Sequence, residues 1–392
     1  MPATNLAMIA FLSTWATLAT SAPVENEETK GDYAVCNSEV CKQRAKLIND
    51  SIDECVDPCE DFYSYACGGW IKRHNISESK SSTGTFDLLT DQLQETLKSI
   101  LENMTLIYEC QNVTDKAAVA YNACMAVPEL GDQPNVMREI MNMSGLAHWP
   151  ITNDTEELFK NCTEVLNKTG IFTVLSVYVD RDIKNLNSNV IGIDQLEFNT
   201  VGRNELTDPD EEYNEEIIDA YKKLIKSALS FMRPNLTEEE LENISETLVN
   251  FEGQLANLTA PPEQRRDIMK IYNRTTIGEL QKNFTHVPLL NFLRKEFSEA
   301  NITLNENETV ELYALKYYDE LNRFLESADP KTLYNYAGLR VMMTWAAQTS
   351  EQFRNASFEL KKVIAEVVTD SPRWEKCVAI VNDAMPEIVG RL

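Results

Sequence analysis

Side chains that could ligate a metal or attack a substrate are few in this 392-residue chain. The three histidines, His74, His148 and His286, stand far apart, and none has a second histidine three to five residues away. The helical His-Glu-x-x-His arrangement, in which two imidazoles on one face hold zinc and the glutamate activates water, is therefore absent. Each imidazole reads as a surface or loop residue rather than a ligand. There is no Gly-x-Ser-x-Gly nucleophile elbow and no Gly-x-x-x-x-Gly-Lys phosphate loop. Carboxylates abound, but 62 acidic against 36 basic side chains, a net charge of −26, guarantee that without any site. No carboxylate pair stands out as an acid/base couple, so residue types and spacing assign no catalytic residue and no metal ligand.

The same charge balance repels phosphate backbones and argues against a nucleic-acid partner. With 43% apolar and 25% charged residues the chain has the composition of a folded protein. Leu6 to Ala22 carries no charged side chain and ends in small residues, which reads as a secretory signal peptide over residues 1–21, cleaved after Ser21, with a flexible acidic lead over 22–35. No later apolar run is long enough to span a membrane. Sixteen Asn-x-Ser/Thr sequons agree with a secreted, extracellular chain: Asn49, Asn75, Asn103, Asn112, Asn142, Asn153, Asn161, Asn167, Asn235, Asn243, Asn257, Asn273, Asn283, Asn301, Asn307 and Asn355. Nine cysteines in that compartment imply disulfides. Their odd number leaves at least one thiol unpaired or intermolecular.

From Thr85 onward the pattern is mainly helical. Phe86, Leu89, Leu93, Leu97, Ile100 and Met104 recur at three- and four-residue steps and predict one apolar stripe. Asp208-Pro209-Asp210-Glu211 reads as a helix start, followed by a stripe from Ile217 to Met232 that Pro234 stops. Thr237 and Glu240 have capping-box spacing, and the acidic triplet Glu238-Glu239-Glu240 reads as a solvated first turn rather than a ligand set. Further helix starts stand at Asp329-Pro330 and Ser371-Pro372. The one β signal runs from Ile171 to Val179, then through polar residues with Asn-Ser-Asn, then from Val190 to Ile193, and predicts a hairpin. The expected fold class is mainly α, a multi-helix domain with a small β-hairpin. The helical pattern continues to Val389-Gly390-Arg391-Leu392 with no polar tail, as though the chain stopped inside a structure.

One segment is far more specific. Cys59-Glu60-Asp61-Phe62-Tyr63-Ser64-Tyr65-Ala66-Cys67-Gly68-Gly69-Trp70 resembles the signature opening of the neprilysin and endothelin-converting-enzyme family of zinc metalloendopeptidases. Cys36-x4-Cys41 upstream is similar to that family's short cysteine loop. Gly84-Thr85-Phe86-Asp87-Leu88-Leu89, Tyr121-Asn122-Ala123-Cys124, Ile193-Asp194-Gln195, Ile271-Tyr272-Asn273 and Arg373-Trp374-Glu375-Lys376-Cys377 follow in family order. The resemblance covers residues 36–392, which it implies to be one N-terminal peptidase domain, incomplete at its C-terminal end.

That resemblance implies small peptides as substrates and zinc as the cofactor of a full-length relative, held in a C-terminal half that this chain lacks. The helical part present here would cap the active-site cavity and restrict entry, and the chain alone would be inactive. The alternative is a short secreted, non-catalytic relative that binds peptides or partner proteins. The family pattern pairs Cys36 with Cys41 and Cys124 with Cys377, the second closing a loop of about 250 residues. It pairs Cys59 and Cys67 with cysteines of the missing half. Pairing of Cys59 and Cys67 with each other or with Cys55 stays open, a Cys55–Cys110 bridge is one candidate, and Cys162 has no counterpart. Neprilysin has an arginine five residues before the position of Asp87, where it binds a peptide's free carboxylate. Ser82 stands there in this chain, and serine cannot supply that bidentate contact.

Overall fold

The computed structural model describes residues 35–152 and 158–386. The predicted signal peptide, residues 22–34 of the lead, the sequon at Asn153 and the terminal Val389–Leu392 lie outside the described residues. The chain divides into two compact units, Met1–Asn75 and Ile76–Leu392.

Among the described residues the first unit holds two helices, α1 (Glu39–Ser51) and α2 (Phe62–Arg73). Ser38 caps α1 through its hydroxyl, and the Cys36–Cys41 disulfide ties the leading residues to its first turn. Asp61 caps α2 by accepting from the Ser64 N–H at 2.9 Å and the Ser64 hydroxyl at 2.7 Å. At Gly69 a Cβ would lie 2.4 Å from the Asp50 carbonyl oxygen and 2.7 Å from that of Ile52. Glycine at that position therefore lets α2 approach the end of α1. Trp70 then turns inward, and its ring stacks on His74 with centroids 3.7 Å apart. The signature is thus a cap, a close approach and an anchoring ring.

The second unit holds α3 (Thr85–Asn103), α4 (Val113–Leu130), α5 (Pro134–Met143), α6 (Cys162–Thr169), α7 (Arg203–Thr207), α8 (Glu212–Met232), α9 (Glu238–Leu258) and α10 (Ile268–Ile271). It continues with α11 (Ile277–Asn283), α12 (Leu289–Glu299), α13 (Leu315–Ser327), α14 (Pro330–Trp345), α15 (Glu351–Ala365) and α16 (Arg373–Ala384). Strands β1 (Ser176–Asp182), β2 (Asn185–Asp194), β3 (Asn273–Thr276) and β4 (Thr309–Leu312) form one sheet in the order β1-β2-β4-β3. The β1/β2 and β3/β4 pairs are antiparallel, and β2/β4 is parallel. The architecture is mainly α with a small β part.

Helices α8 and α9 form the centre of the larger core. The α8 stripe is buried from Ile217 to Met232, and the Thr237/Glu240 capping box opens α9. Glu238, Glu239 and Glu240 face solvent, with Glu238 and Glu242 taking ion pairs from Lys226 at 2.7 and 2.5 Å. Inside this apolar core Glu252 is buried and accepts from the hydroxyls of Tyr221 at 2.7 Å and Tyr336 at 2.9 Å. Trp149 packs so closely on α14 that a Cβ at Gly338 would meet its ring at 2.0 Å.

Four expectations need correction. The helix after Asp208-Pro209 starts at Glu212, because Asp208 ends α7 and its carbonyl accepts from Asn214 Nδ2. Pro372, rather than Ser371, is the residue preceding α16. Ile171 to Leu175 lie before the strand, with a turn at Phe172–Val174, and β2 begins at Asn185, so the Asn-Ser-Asn stretch lies within β2 and two short strands extend the hairpin to four. The stripe on α3 is only half covered: Leu97 is buried, whereas Phe86, Leu89 and Leu93 are 84%, 45% and 58% exposed.

Candidate functional site

The sheet brings together two segments that are 78 positions apart, Ile193-Asp194-Gln195 and Ile271-Tyr272-Asn273. Neither is paired directly with the other. Leu312 of β4 lies between them, in register with Ile193 on one side and with Asn273 on the other. β4 is four residues long and was not legible as a strand, yet it sets this juxtaposition.

Polar side chains cluster where the sheet ends. Arg265, on the 3-10 turn Pro262–Arg265, donates from Nη2 to both carboxylate oxygens of Asp194 at 2.7 and 2.6 Å and from Nη1 to the Tyr313 carbonyl at 3.2 Å. The side-chain amide of Gln195 donates to the Ala260 carbonyl and accepts from the Ala260 N–H, both at 2.9 Å, which pins the exit from α9 to the end of β2. Glu311 of β4 is fully buried and accepts from the hydroxyls of Tyr313 at 2.6 Å and Tyr272 at 3.1 Å. Arg274 pairs with buried Asp182 at 2.6 Å, and that contact holds the Asp182 carboxyl below its ordinary range. Burial, reinforced by Glu311, pushes the Tyr313 hydroxyl well above its ordinary value.

Beside this network opens a cavity of about 820 Å³. Its walls are the loop after β2, the start of α7, the exit of α9 (Asn257 to Pro261), the Pro262–Arg265 turn, Asn273, and the uncapped start of α13. None of Gln195, Arg203, Arg265, Asn273 and Tyr313 was singled out as a ligand contact from the sequence. The signal available was only that two of the ordered motifs end in Asp194-Gln195 and Tyr272-Asn273.

A second constellation joins three other segments. Cys124 and Cys377 form a disulfide, and Arg373 donates to the Cys124 carbonyl from Nε at 3.1 Å and from Nη2 at 2.8 Å. Leu97, Leu101, Tyr121, Val378 and Val381 close around that bridge, with Lys98 over the Trp374 ring at 4.8 Å. This is a packed core with no cavity chemistry of its own.

Other predicted site residues sit separately. Ser82 is exposed and lines a shallow hollow of about 280 Å³ with Asp87, Asp91, Lys361 and Glu375, where no arginine stands. Cys55, Cys59, Cys67, Cys110 and Cys162 are all free thiols, so neither Cys55–Cys110, nor Cys59–Cys67, nor a bridge from Cys55 to either of the latter is formed. Cys162 is buried against the Ala328 carbonyl, and burial pushes its thiol up to about 12, so it is an inert filler. His74 is held by Trp70, the His286 N–H donates to Asn322, and His148 is exposed. Among the described residues no group of three or more His, Cys, Asp or Glu side chains is placed to hold a metal ion, so those residues do not fit a catalytic zinc. Nor, among them, is any helix long and apolar enough to cross a membrane. Of the fifteen described sequon asparagines, fourteen are exposed and Asn273 alone is half-buried, so surface access discriminates only against Asn273.

Comparison with known proteins gives these motifs a common origin. The N-terminal domain profile of peptidase family M13 matches residues 58–392. The chain is 31% identical to neprilysin-1 of Trittame loki over 372 residues, covering 92% of this chain and 51% of that protein. It is 33% identical to human endothelin-converting enzyme 1 (91% and 46% covered) and 28% identical to human neprilysin (92% and 50%). The chain thus spans about half the length of the relatives it matches. The fold is similar to that of a zinc metalloprotease from Mycobacterium tuberculosis, with a TM-score of 0.69 at 16% identity, covering 87% of this chain and 50% of that one. A Haemonchus galactose-containing glycoprotein complex is similar at a TM-score of 0.52 and 17% identity, over 91% and 52%. On the strength of a match that runs from the cysteine-rich signature through the Cys124–Cys377 core, this chain belongs to peptidase family M13, as its N-terminal domain.

Proposed function

We propose that this chain is the N-terminal portion of a secreted, glycosylated neprilysin-like zinc metalloendopeptidase that acts on small peptides. The observation that carries the reading is the family match over residues 58–392, which spans about half of each relative. In this reading the zinc, its ligands and the water-activating glutamate belong to the other half. The residues described here supply the helical cap that limits entry to short chains.

Two further observations support a covered rather than free surface. Phe86, Leu89 and Leu93 leave half of the α3 stripe in water, and such a contiguous apolar face normally meets a partner surface. Cys59 is exposed and Cys67 half-buried, both unbridged, which suits disulfides to segments beyond this chain. Ser82, in a hollow without arginine, weakens any preference for a free peptide carboxylate at that position.

The test is direct. Purified 392-residue chain should show no chelator-sensitive hydrolysis of a fluorogenic neprilysin-type peptide, while a chain extended through a His-Glu-x-x-His segment should show it. Zinc-dependent cleavage by the 392-residue chain alone would overturn the reading. The second reading, a short non-catalytic relative that binds peptides, draws on the 820 Å³ cavity contained wholly within this chain. An intact-mass measurement on the native secreted product, after glycan removal, separates the two.

A further inference from the structure

We propose that the cavity at the end of the sheet binds the carboxylate of a short peptide, with Arg203 as its anchor. Every lining residue belongs to this chain.

Five charged side chains line the cavity: Arg203, Arg265, Lys270, Lys316 and Asp319. Four are neutralised locally. Arg265 pairs with Asp194 at 2.6 Å, Lys270 with Asp267 at 3.4 Å, Lys316 with Glu320 at 3.6 Å, and Asp319 with Arg323. Arg203 is the one with no ion pair among the described residues, in a protein whose net charge is −26. It is half-buried, so its charge is only partly screened by water.

The guanidinium is held for this task. Its Nε donates to the Thr259 hydroxyl at 3.1 Å and its Nη2 to the Thr259 carbonyl at 3.3 Å. Those contacts also place a cation at the C-terminal end of α9, which is favourable by itself. They use one side of the fork and leave the terminal Nη1/Nη2 edge, two parallel N–H donors that match one carboxylate. One unpaired positive charge suits a monoanion better than a phosphate.

The remaining lining suits a peptide chain. The Gln264 side chain makes no hydrogen bond within the described residues, and Asn273 commits only its Nδ2. Ala314 offers α13 no side-chain cap, which leaves first-turn N–H groups of that helix to bond carbonyls of a guest. Apolar walls come from Leu258, Ala314 and Leu315, and the volume falls within the range of small-ligand sites.

The test is isothermal titration calorimetry on the full secreted chain, after enzymatic glycan removal, with N-acetyl-Ala-Ala-Phe as free acid and as amide, N-acetyl-Ala-Asp-Phe-amide, and inorganic phosphate. The free acid should bind saturably at one site, about tenfold or more tighter than the amide, the loss expected for one charge-assisted contact. The aspartyl amide tells a side-chain from a terminal carboxylate, and phosphate should not displace the acid. Arg203→Gln should weaken acid binding about tenfold, and Arg203→Lys, which keeps the charge but loses the fork, should fall between. If Arg203→Gln fails to fold, the acid-to-amide ratio on the unmodified chain decides alone. Equal binding of acid and amide, unchanged binding by folded Arg203→Gln, displacement by phosphate, or no saturable binding overturns the proposal.

Discussion

Cys124 and Cys377, 253 positions apart, are bonded to each other, and the carbonyl of Cys124 also receives two hydrogen bonds from Arg373. The same four-residue reach, Arg373 to Cys377, therefore holds α4 both covalently and through the backbone. Tyr121 lies one turn earlier on α4, buried, with its hydroxyl on Glu102 of α3 at 3.1 Å. The two motifs are thus one structural clasp between segments near the start and the end of the second unit.

Removing that clasp should cost stability out of proportion to the atoms lost. Closing so long a loop restricts the unfolded chain, so Cys377→Ser is expected to destabilise by about 2–5 kcal/mol. Thermal unfolding with and without reductant checks this. Reductant should lower the midpoint of the unmodified chain and leave that of the variant much less changed.

Gly69→Ala should loosen the first unit. Its new methyl would meet the carbonyls of Asp50 and Ile52, which are backbone atoms and cannot swing aside. Overpacking of this kind costs about 1–3 kcal/mol. Limited proteolysis should cut residues 39–73 faster in the variant, whereas equal rates would show that α1 and α2 do not need the close approach.

Glu252 gives the second unit a pH dependence of unusual sign. Burial pushes its carboxyl above the ordinary value of 4.5, against the hydroxyls of Tyr221 and Tyr336 and the Arg340 guanidinium 3.7 Å away. The folded state holds the proton more tightly than the unfolded state. Its contribution is therefore complete below pH 4.5 and is lost as the pH rises through the raised folded value. Glu252→Gln should remove that component: the gap in melting temperature between variant and parent should widen in favour of the variant as pH increases from about 4.5. A gap independent of pH contradicts this.

Glycan mapping should find Asn273 empty. Its Nδ2, the atom that a glycan would occupy, donates to the Ile271 carbonyl at 3.0 Å inside the sheet edge. Exposed Asn49, Asn235 and Asn355 have no such commitment. Mass spectrometry of peptides released from the secreted chain reads occupancy at each sequon, and a fully occupied Asn273 would contradict the placement of β3.

Much of this protein was decided locally. Capping at Thr237 and Asp329 needs only neighbours within three residues, so those helix starts could be read from residue order. The buried stripe from Ile217 to Met232 repeats with helical period, and the family signature from Cys59 to Trp70 is contiguous. Tertiary structure decided what depends on segments far apart. Strands β3 and β4 are four residues each, too short for an alternation to show, and exist because each satisfies the other's backbone. Arg203 looks like any surface arginine until α9 ends beside it and Asp319 of the same cavity, with Asp194 behind its lining Arg265, are seen paired with Arg323 and Arg265. Charge pairing, burial and cavity shape are sums over residues that chain order leaves apart, which is why the carboxylate site emerged only in three dimensions.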